Sequence, residues 1–319
     1  MEKLNMRDTL ARYGLFMPRR YKTREKQSFA NVVHKEFTSL GYKVSIYSSQ
    51  NKKFKGANLV IGDPFSASQI LMAPYDTPSS VLLPGFKYYP FSAKPNIKQE
   101  MYNQAISIAI QTLCFVGVYF LFKDFMSATL WPRIGRIVGF VVLFLIFILF
   151  TVSRGNLVNF DRASAALAVL DKVLHDVKES DRHKLAVVFL DRSTMAYDGL
   201  RLLKDQLGDK DDIPMLYLDA LAKGDLLVLA RREAEPLTKL NKDLAELKEA
   251  YKEKVFTKEQ ANANFLSFFP KMAVLVSGEV EGPEFVVKNT RSRKDSEVDI
   301  ERLELITKAL VKQVARAKE

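Results

Sequence analysis

The sequence predicts an α/β domain with a mixed, mainly parallel sheet and helices on both faces, interrupted by a two-helix transmembrane hairpin. Three observations carry this. Short apolar runs alternate with helix-period segments over most of the chain, two long uncharged runs sit in its middle, and neither flanking portion holds enough strands for a complete sheet. With 319 residues, 48% of them hydrophobic, the chain can bury a substantial core, which excludes a disordered protein.

In chain order, "SFANVVHKEFTSLGY" is a helix closed by Gly41, and "KVSIYSS", "ANLVIGD" and "QILMAPYD" are strands. The runs at 105–122 and 134–152 follow. The first carries no charge and is long enough as a helix to cross a core of about 30 Å; the second spans it if Arg136 snorkels. Tyr102, Lys123, Asp124, Trp131, Arg133 and Arg154 flank them as interfacial anchors. Beyond the hairpin, "ASAALAVLDKVLHDVKE" is an amphipathic helix, "KLAVVFLD" a buried strand and "MAYDGLRLLKDQL" a helix. "IPMLYLDALAKGDLLVLAR" supplies one or two strands, and "KMAVLVSG", "EFVVKN" and a helix from Ile300 complete the domain. Leu237, Leu240, Leu244, Leu247 and Tyr251 form one apolar helix stripe, which packs on its own domain or, as the less favoured reading, makes a dimer seam. The divisions are therefore 1–27, a basic N-terminal segment; 28–103 and 154–319, the two parts of one domain; and 104–153, the hairpin.

A formal charge of +11 and a pI near 9.4 call for an anionic partner. The basic residues of the first 55, among them Arg19, Arg20 and Lys22, feed toward the apolar spans, so membrane lipid is the expected partner rather than nucleic acid. Arg19, Arg20, Lys22, Trp131, Arg133, Arg136 and Arg154 are the expected lipid-facing or partner-facing positions. No signal-like run opens the chain and the outer flanks of the spans are basic, which predicts a plasma-membrane protein with both termini cytoplasmic. Cys114, the one cysteine, lies in an apolar run and fits a reducing compartment.

Four acidic or polar turns follow strand ends: "APYD" at Asp76, "DRASA" at Asp161, "FLDRST" at Ser193 and Thr194, and "YLDALAKGD" at Asp219. In this order they resemble the dinuclear zinc aminopeptidases, which include exopeptidases and glutaminyl cyclase relatives. The resemblance covers most of residues 20–319 outside the hairpin and implies a three-layer α/β/α domain. It also implies a degenerate centre. Pro74 stands where the family has a zinc-binding His, ahead of the supporting Asp76, and Asp161 matches the bridging Asp. Ser193 and Thr194 stand where the family has its general base and a glutamate ligand, Asp219 matches a later ligand, and Asn289 falls near the last His.

Proline offers no lone pair, and hydroxyls replace neither an anionic ligand nor a base near neutral pH. The resemblance thus implies a pseudopeptidase: no metal, no cofactor and no catalytic residue. It would act as a cytoplasmic-face scaffold for an integral-membrane or membrane-associated partner, and self-association is left open. The alternative is an active membrane-bound metallopeptidase with a rearranged site. The residual acids Asp76, Asp161 and Asp219 could hold a hard cation, but pairing with Arg162 or Lys223, or hydration, is favoured. In "HDVKESDRH", His175, Asp176, Asp181 and His183 read as a helix end and solvated loop rather than a metal motif, and His34 as a surface histidine. Ser193 has no neighbouring histidine in sequence to activate it as a nucleophile.

Overall fold

The computed structural model describes residues 5–49, 56–82, 85–194, 196–210, 212–232, 238–246, 250–262 and 264–317. The chain opens with α1 (Met6–Ala11), a π-helical turn (Arg12–Phe16) and α2 (Thr23–Ser39), then β1 (Val44–Ser48), β2 (Ala57–Ile61) and β3 (Gln69–Pro74). Two long helices follow, α3 (Ala93–Phe122) and α4 (Leu130–Thr151). A second π-helical turn (Phe160–Ser164) leads into α5 (Ala165–Asp176), β4 (Leu185–Leu190), α6 (Asp198–Leu207), β5 (Met215–Asp219) and β6 (Leu226–Arg232). The last elements are α7 (Thr238–Ala245), β7 (Tyr251–Phe256), α8 (Lys258–Asn262), β8 (Met272–Glu281), β9 (Glu284–Val286) and α9 (Ile300–Arg316).

The strands form one mixed sheet in the order β1-β2-β4-β3-β5-β8-β6-β7, with β9 added to β8. Its centre, β4-β3-β5-β8, is parallel. β3 and β4 are buried along their whole lengths, as expected of central strands covered on both faces. Leu71 and Ala73 face a core shared with α1, α2, α5 and α9, while Ile70 and Met72 face a second core under α6 and α8. The result is three layers, α/β/α. β2 and β3, made before the hairpin, both pair with β4, made after it, so neither part completes the sheet alone.

α3 and α4 are long and apolar enough to cross a membrane, and their apolar stretches are almost wholly exposed. α3 begins a dozen residues before its apolar stretch, and this polar stalk is bolted to the domain. Asn103 Oδ1 accepts from Leu82 N (2.7 Å), Gln99 Oε1 from Lys87 N (2.9 Å) and Asn96 Oδ1 from Tyr89 N (2.9 Å), so side-chain amides of the stalk hold the backbone of Leu82, Lys87 and Tyr89.

Three expectations are corrected. Residues 6–20 are not a separate basic arm but part of the domain, because Met6, Leu10 and Tyr13 pack into its core. Arg20 is fully buried and cannot face lipid: its guanidinium donates to Tyr75 O (2.6 Å), Tyr13 O (2.8 Å) and Ala163 O (3.2 Å). Tyr251 is not on the apolar helix stripe but starts β7, an edge strand guarded by Lys252, Glu253 and Lys254. Of the rest of that stripe, Leu240 and Leu244 are buried in their own domain, where α7 packs against α9; Leu237 and Leu247 lie outside the described residues.

Because Arg20 satisfies several carbonyls that water cannot reach, Arg20→Met should cost about 3 kcal/mol. Arg19→Met, at an exposed neighbour, should change stability little. Urea unfolding of both variants in mild detergent checks this, and equal midpoints would contradict the buried role.

Candidate functional site

The parallel strands β3, β4 and β5 end on one side of the sheet, the side on which open α/β sheets carry their ligands. Register brings the turns together, since Pro74 lies opposite Leu190 and the residues after each strand meet. Asp76 Oδ1 accepts from Ser193 N (2.9 Å) and Thr194 N (3.3 Å), and Asp76 Oδ2 from Thr194 Oγ1 (2.5 Å). Burial raises the Asp76 carboxyl, with Lys26 opposing. Thus Asp76, Ser193 and Thr194 do converge, but the serine and threonine serve as donors that tie one turn to the other. Ser193 Oγ donates to Asp191 O (3.1 Å), so it is not poised as a nucleophile.

The next turn holds the decisive side chain. Arg162, which follows Asp161 at the mouth of α5, is buried and pairs with the buried Asp219 at the end of β5. Its other nitrogen donates to Thr194 O (3.0 Å), and its guanidinium lies 3.8 Å over the Tyr88 ring. Tyr88 OH completes the group by donating to Asp219 Oδ2 (2.8 Å). Burial would strip Arg162 of charge, but Asp219 outweighs it and holds the guanidinium above its ordinary value.

Asp161 turns the other way. Its Oδ1 accepts from Ala222 N (2.7 Å), and its backbone N–H donates to Asp295 Oδ1 (3.1 Å). Lys223 lies 3.7 Å from Asp295, and burial pushes Asp161 up to about 6 against the pull of Lys223. One oxygen of Asp161 and one of Asp295 lack a hydrogen-bond partner among the described residues. Asn289 occupies a left-handed turn with φ +58° and makes no hydrogen bond to Asp76, Asp161 or Asp219 among the described residues. Its neighbour Arg291 is buried and donates to Ser79 O and Ser79 Oγ, both at 2.7 Å, while pairing with Glu100 on the α3 stalk.

These residues do not fit a dinuclear zinc centre. Pro74 offers no donor atom, the Thr194 and Ser193 hydroxyls donate to Asp76 and to Asp191 O, and an arginine cation already neutralises Asp219. Pairing of Asp219 with Arg162 agrees with the pairing expected from sequence, whereas Lys223, expected beside Asp76, Asp161 or Asp219, lies 3.7 Å from Asp295, which was unforeseen. Tyr88 also went unseen, because nothing in its local sequence marks an aromatic that reaches a strand end some 130 residues on. Beside Asp76, a cleft of about 980 Å³ is lined by Tyr21, Lys26, Leu59, Tyr75, Asp191 and Thr194.

A second cluster, half-buried, lies between α2 and α5. Glu36, Asp171 and His175 bring three potential ligand atoms within 4.8 Å of one another. Arg12 is already there, 2.5 Å from Glu36 and 3.1 Å from Asp171, and Tyr13 OH donates to Asp171 (2.7 Å). Of the histidine motif, only His175 joins; Asp176 pairs with Lys172 and Asp181 with Lys184. Asp171, one turn before His175 on α5, was not singled out from the sequence, although its i,i−4 spacing places it beside that histidine.

No family model and no curated protein matches the sequence. Solved structures do match over nearly the whole chain. A Zn-dependent exopeptidase from Parabacteroides distasonis superposes with a TM-score of 0.58 at 10% identity, covering 98% of this chain and 99% of its own. The LapA aminopeptidase of Legionella pneumophila gives 0.55 at 9% identity, covering 98% of this chain and 72% of its own. The fold is that of the zinc aminopeptidases. A glutaminyl cyclase from Bacteroides thetaiotaomicron also shares it, with a TM-score of 0.52 at 10% identity over 99% of this chain and 97% of its own. In this aminopeptidase-like domain the hairpin sits between β3 and α5, and the strand ends are joined by hydrogen bonds and the buried pair of Arg162 and Asp219.

Arg162→Met leaves Asp219 buried without its cation and should cost about 3–5 kcal/mol; adding Asp219→Asn should recover part of that loss. Chemical unfolding of the single and double variants tests the pair, and additive losses would contradict it. His175 gives a pH signature. Burial opposes its charge, but Asp171 and Glu36 outweigh burial and hold the imidazole above its ordinary value near 6.5. Its contribution to stability is therefore complete below about 6.5 and fades as pH rises through the raised value. His175→Gln should flatten that part of the stability–pH profile; the buried Asp161 carboxyl, pushed up to about 6, should still cost stability as pH rises from about 4 to 6, and that fall should persist in the variant.

Proposed function

We propose that this is a membrane-anchored pseudopeptidase, an aminopeptidase-fold domain that binds and presents a membrane partner at the cytoplasmic face without catalysis. One observation carries the reading. The Arg162 guanidinium supplies, from within the chain, the positive charge that Asp219 requires, so the acid has no need of a metal. The stand-ins at Pro74, Ser193, Thr194 and Asn289 support it, since none can ligate zinc as an anion or imidazole, and none can deprotonate a water.

The charges flanking the hairpin support cytoplasmic placement of both parts of the domain: Lys87, Lys94, Lys98 and Arg154 on the domain side against Lys123, Arg133 and Arg136 at the far side. The stalk of α3 is fixed to the same strand-end face, through Arg291, Glu100 and Ser79, so the old cleft mouth opens near the bilayer. The cleft beside Asp76 combines aromatic walls with Lys26 and Asp191, which suits a peptide segment of a neighbouring protein.

A second reading, a working metallopeptidase with a rearranged site, rests on the unpartnered buried oxygens of Asp161 and Asp295. Elemental analysis of the detergent-purified protein, with aminoacyl-substrate hydrolysis alongside, separates the two. The pseudopeptidase reading expects no stoichiometric transition metal and no turnover. About two ions per chain, lost together with hydrolysis in Asp161→Ala, would replace it with the second.

A further inference from the structure

The strand-end face carries an exposed apolar and basic rim whose residues the cleft and the ion pair do not use. Tyr13 and Gly14 are buried in the first π-helical turn, and Gly14 lies so close to the Phe160 ring that a Cβ would not fit. This packing turns the next two residues outward: Leu15 is 63% exposed and Phe16 81%. Leu157, at 53%, belongs to the same rim, because Asn159 Nδ2 donates to Pro18 O (3.2 Å) and joins the two segments.

Exposed Arg19 and Arg154 stand beside these apolar residues. Arg154 is fixed by backbone, since Ser80 N donates to Arg154 O (2.8 Å) and Ser79 is bridged to Gly155, while Arg19 precedes Arg20, whose carbonyl accepts from Thr77 N (3.2 Å). The nearby acid, Glu25, is turned inward onto the backbone N–H groups of Tyr21 and Lys22. Arg154 follows the end of α4 by three residues, so the rim continues directly from the root of the hairpin.

Exposed leucine and phenylalanine next to arginine is the composition of a surface that lies in a lipid interface. We propose that this rim is a peripheral contact with the anionic leaflet, in which Leu15, Phe16 and Leu157 enter the headgroup–acyl boundary while Arg19 and Arg154 meet lipid phosphates. The occupant is phospholipid rather than a protein, because the patch is continuous with the spans and its charge complements an anionic surface. The inference rests on the hairpin crossing the bilayer, and its test reports on that separately.

The full-length protein carrying Trp131→Phe is reconstituted in vesicles of phosphatidylcholine and phosphatidylserine with acyl chains brominated at shallow or deep positions. Single tryptophans are placed at Phe16 on the rim, Phe144 in the span, and Val255 on the β7 edge. The expected result is quenching at position 16 by shallow bromine, quenching at 144 by deep bromine, and emission at 255 unchanged. Arg19→Glu with Arg154→Glu, or vesicles of phosphatidylcholine alone, should remove the quenching at 16 and leave that at 144. Position 16 behaving like 255 while 144 is quenched would overturn the rim contact alone. Quenching at 16 that ignores headgroup charge would overturn its anionic partner. No quenching at 144 would overturn the span and the rim together.

Discussion

The buried pair of Arg162 and Asp219 is the constraint around which the strand ends are organised. Two charges removed from water are tolerable only when each finds its partner and its remaining hydrogen bonds. Here Asp219 receives Arg162 and Tyr88, and Arg162 also satisfies Thr194 O and stacks on the Tyr88 ring. Tyr88 comes from the connection that leads to the hairpin, Thr194 from the turn after β4, Asp219 from β5 and Arg162 from the mouth of α5. The interaction therefore ties four separate stretches of chain, and Asp76 extends the tie by holding Thr194 from the end of β3.

This arrangement gathers acidic side chains at the strand ends of an aminopeptidase-like fold. In a zinc site, anionic side chains converge because an ion draws them in. In this chain the same convergence is produced by donors internal to the protein: a guanidinium, a phenol, a threonine hydroxyl and backbone N–H groups. Asp161 keeps an oxygen without a hydrogen-bond partner among the described residues, as does Asp295, which arrives from the loop before α9.

Much of the fold was legible because its signals are local. Runs such as "KLAVVFLD" and "IPMLYLD" are too short and too apolar to be anything but buried strands, and the uncharged stretches fix the hairpin by length. Asp76, Asp161, Asp219, Ser193 and Thr194 were legible because they directly follow strands or open a helix. The failures are non-local. "YKEKVF" reads as the tail of a charged helix unless β6 is known to lie beside it, and Arg20 reads as a surface residue because nothing nearby reveals the carbonyls that await it. Tyr88, Asp295 and the gathering of Glu36 around Asp171 and His175 depend on contacts between distant segments, which no window of sequence contains.

The interleaved sheet also has a consequence for how the protein is made. β3 is apolar on both faces and needs β4 and β5 as neighbours, yet the hairpin and α5 must be synthesised between them. At ordinary rates of translation, about 5–20 residues per second, the gap between β3 and β4 lasts on the order of ten seconds. For that time a sticky strand waits while the two long apolar helices and α5 are made. Closure of the sheet is thus obligatorily later than synthesis of the hairpin, and a delay there leaves the nascent β3 exposed to aggregation and to chaperones.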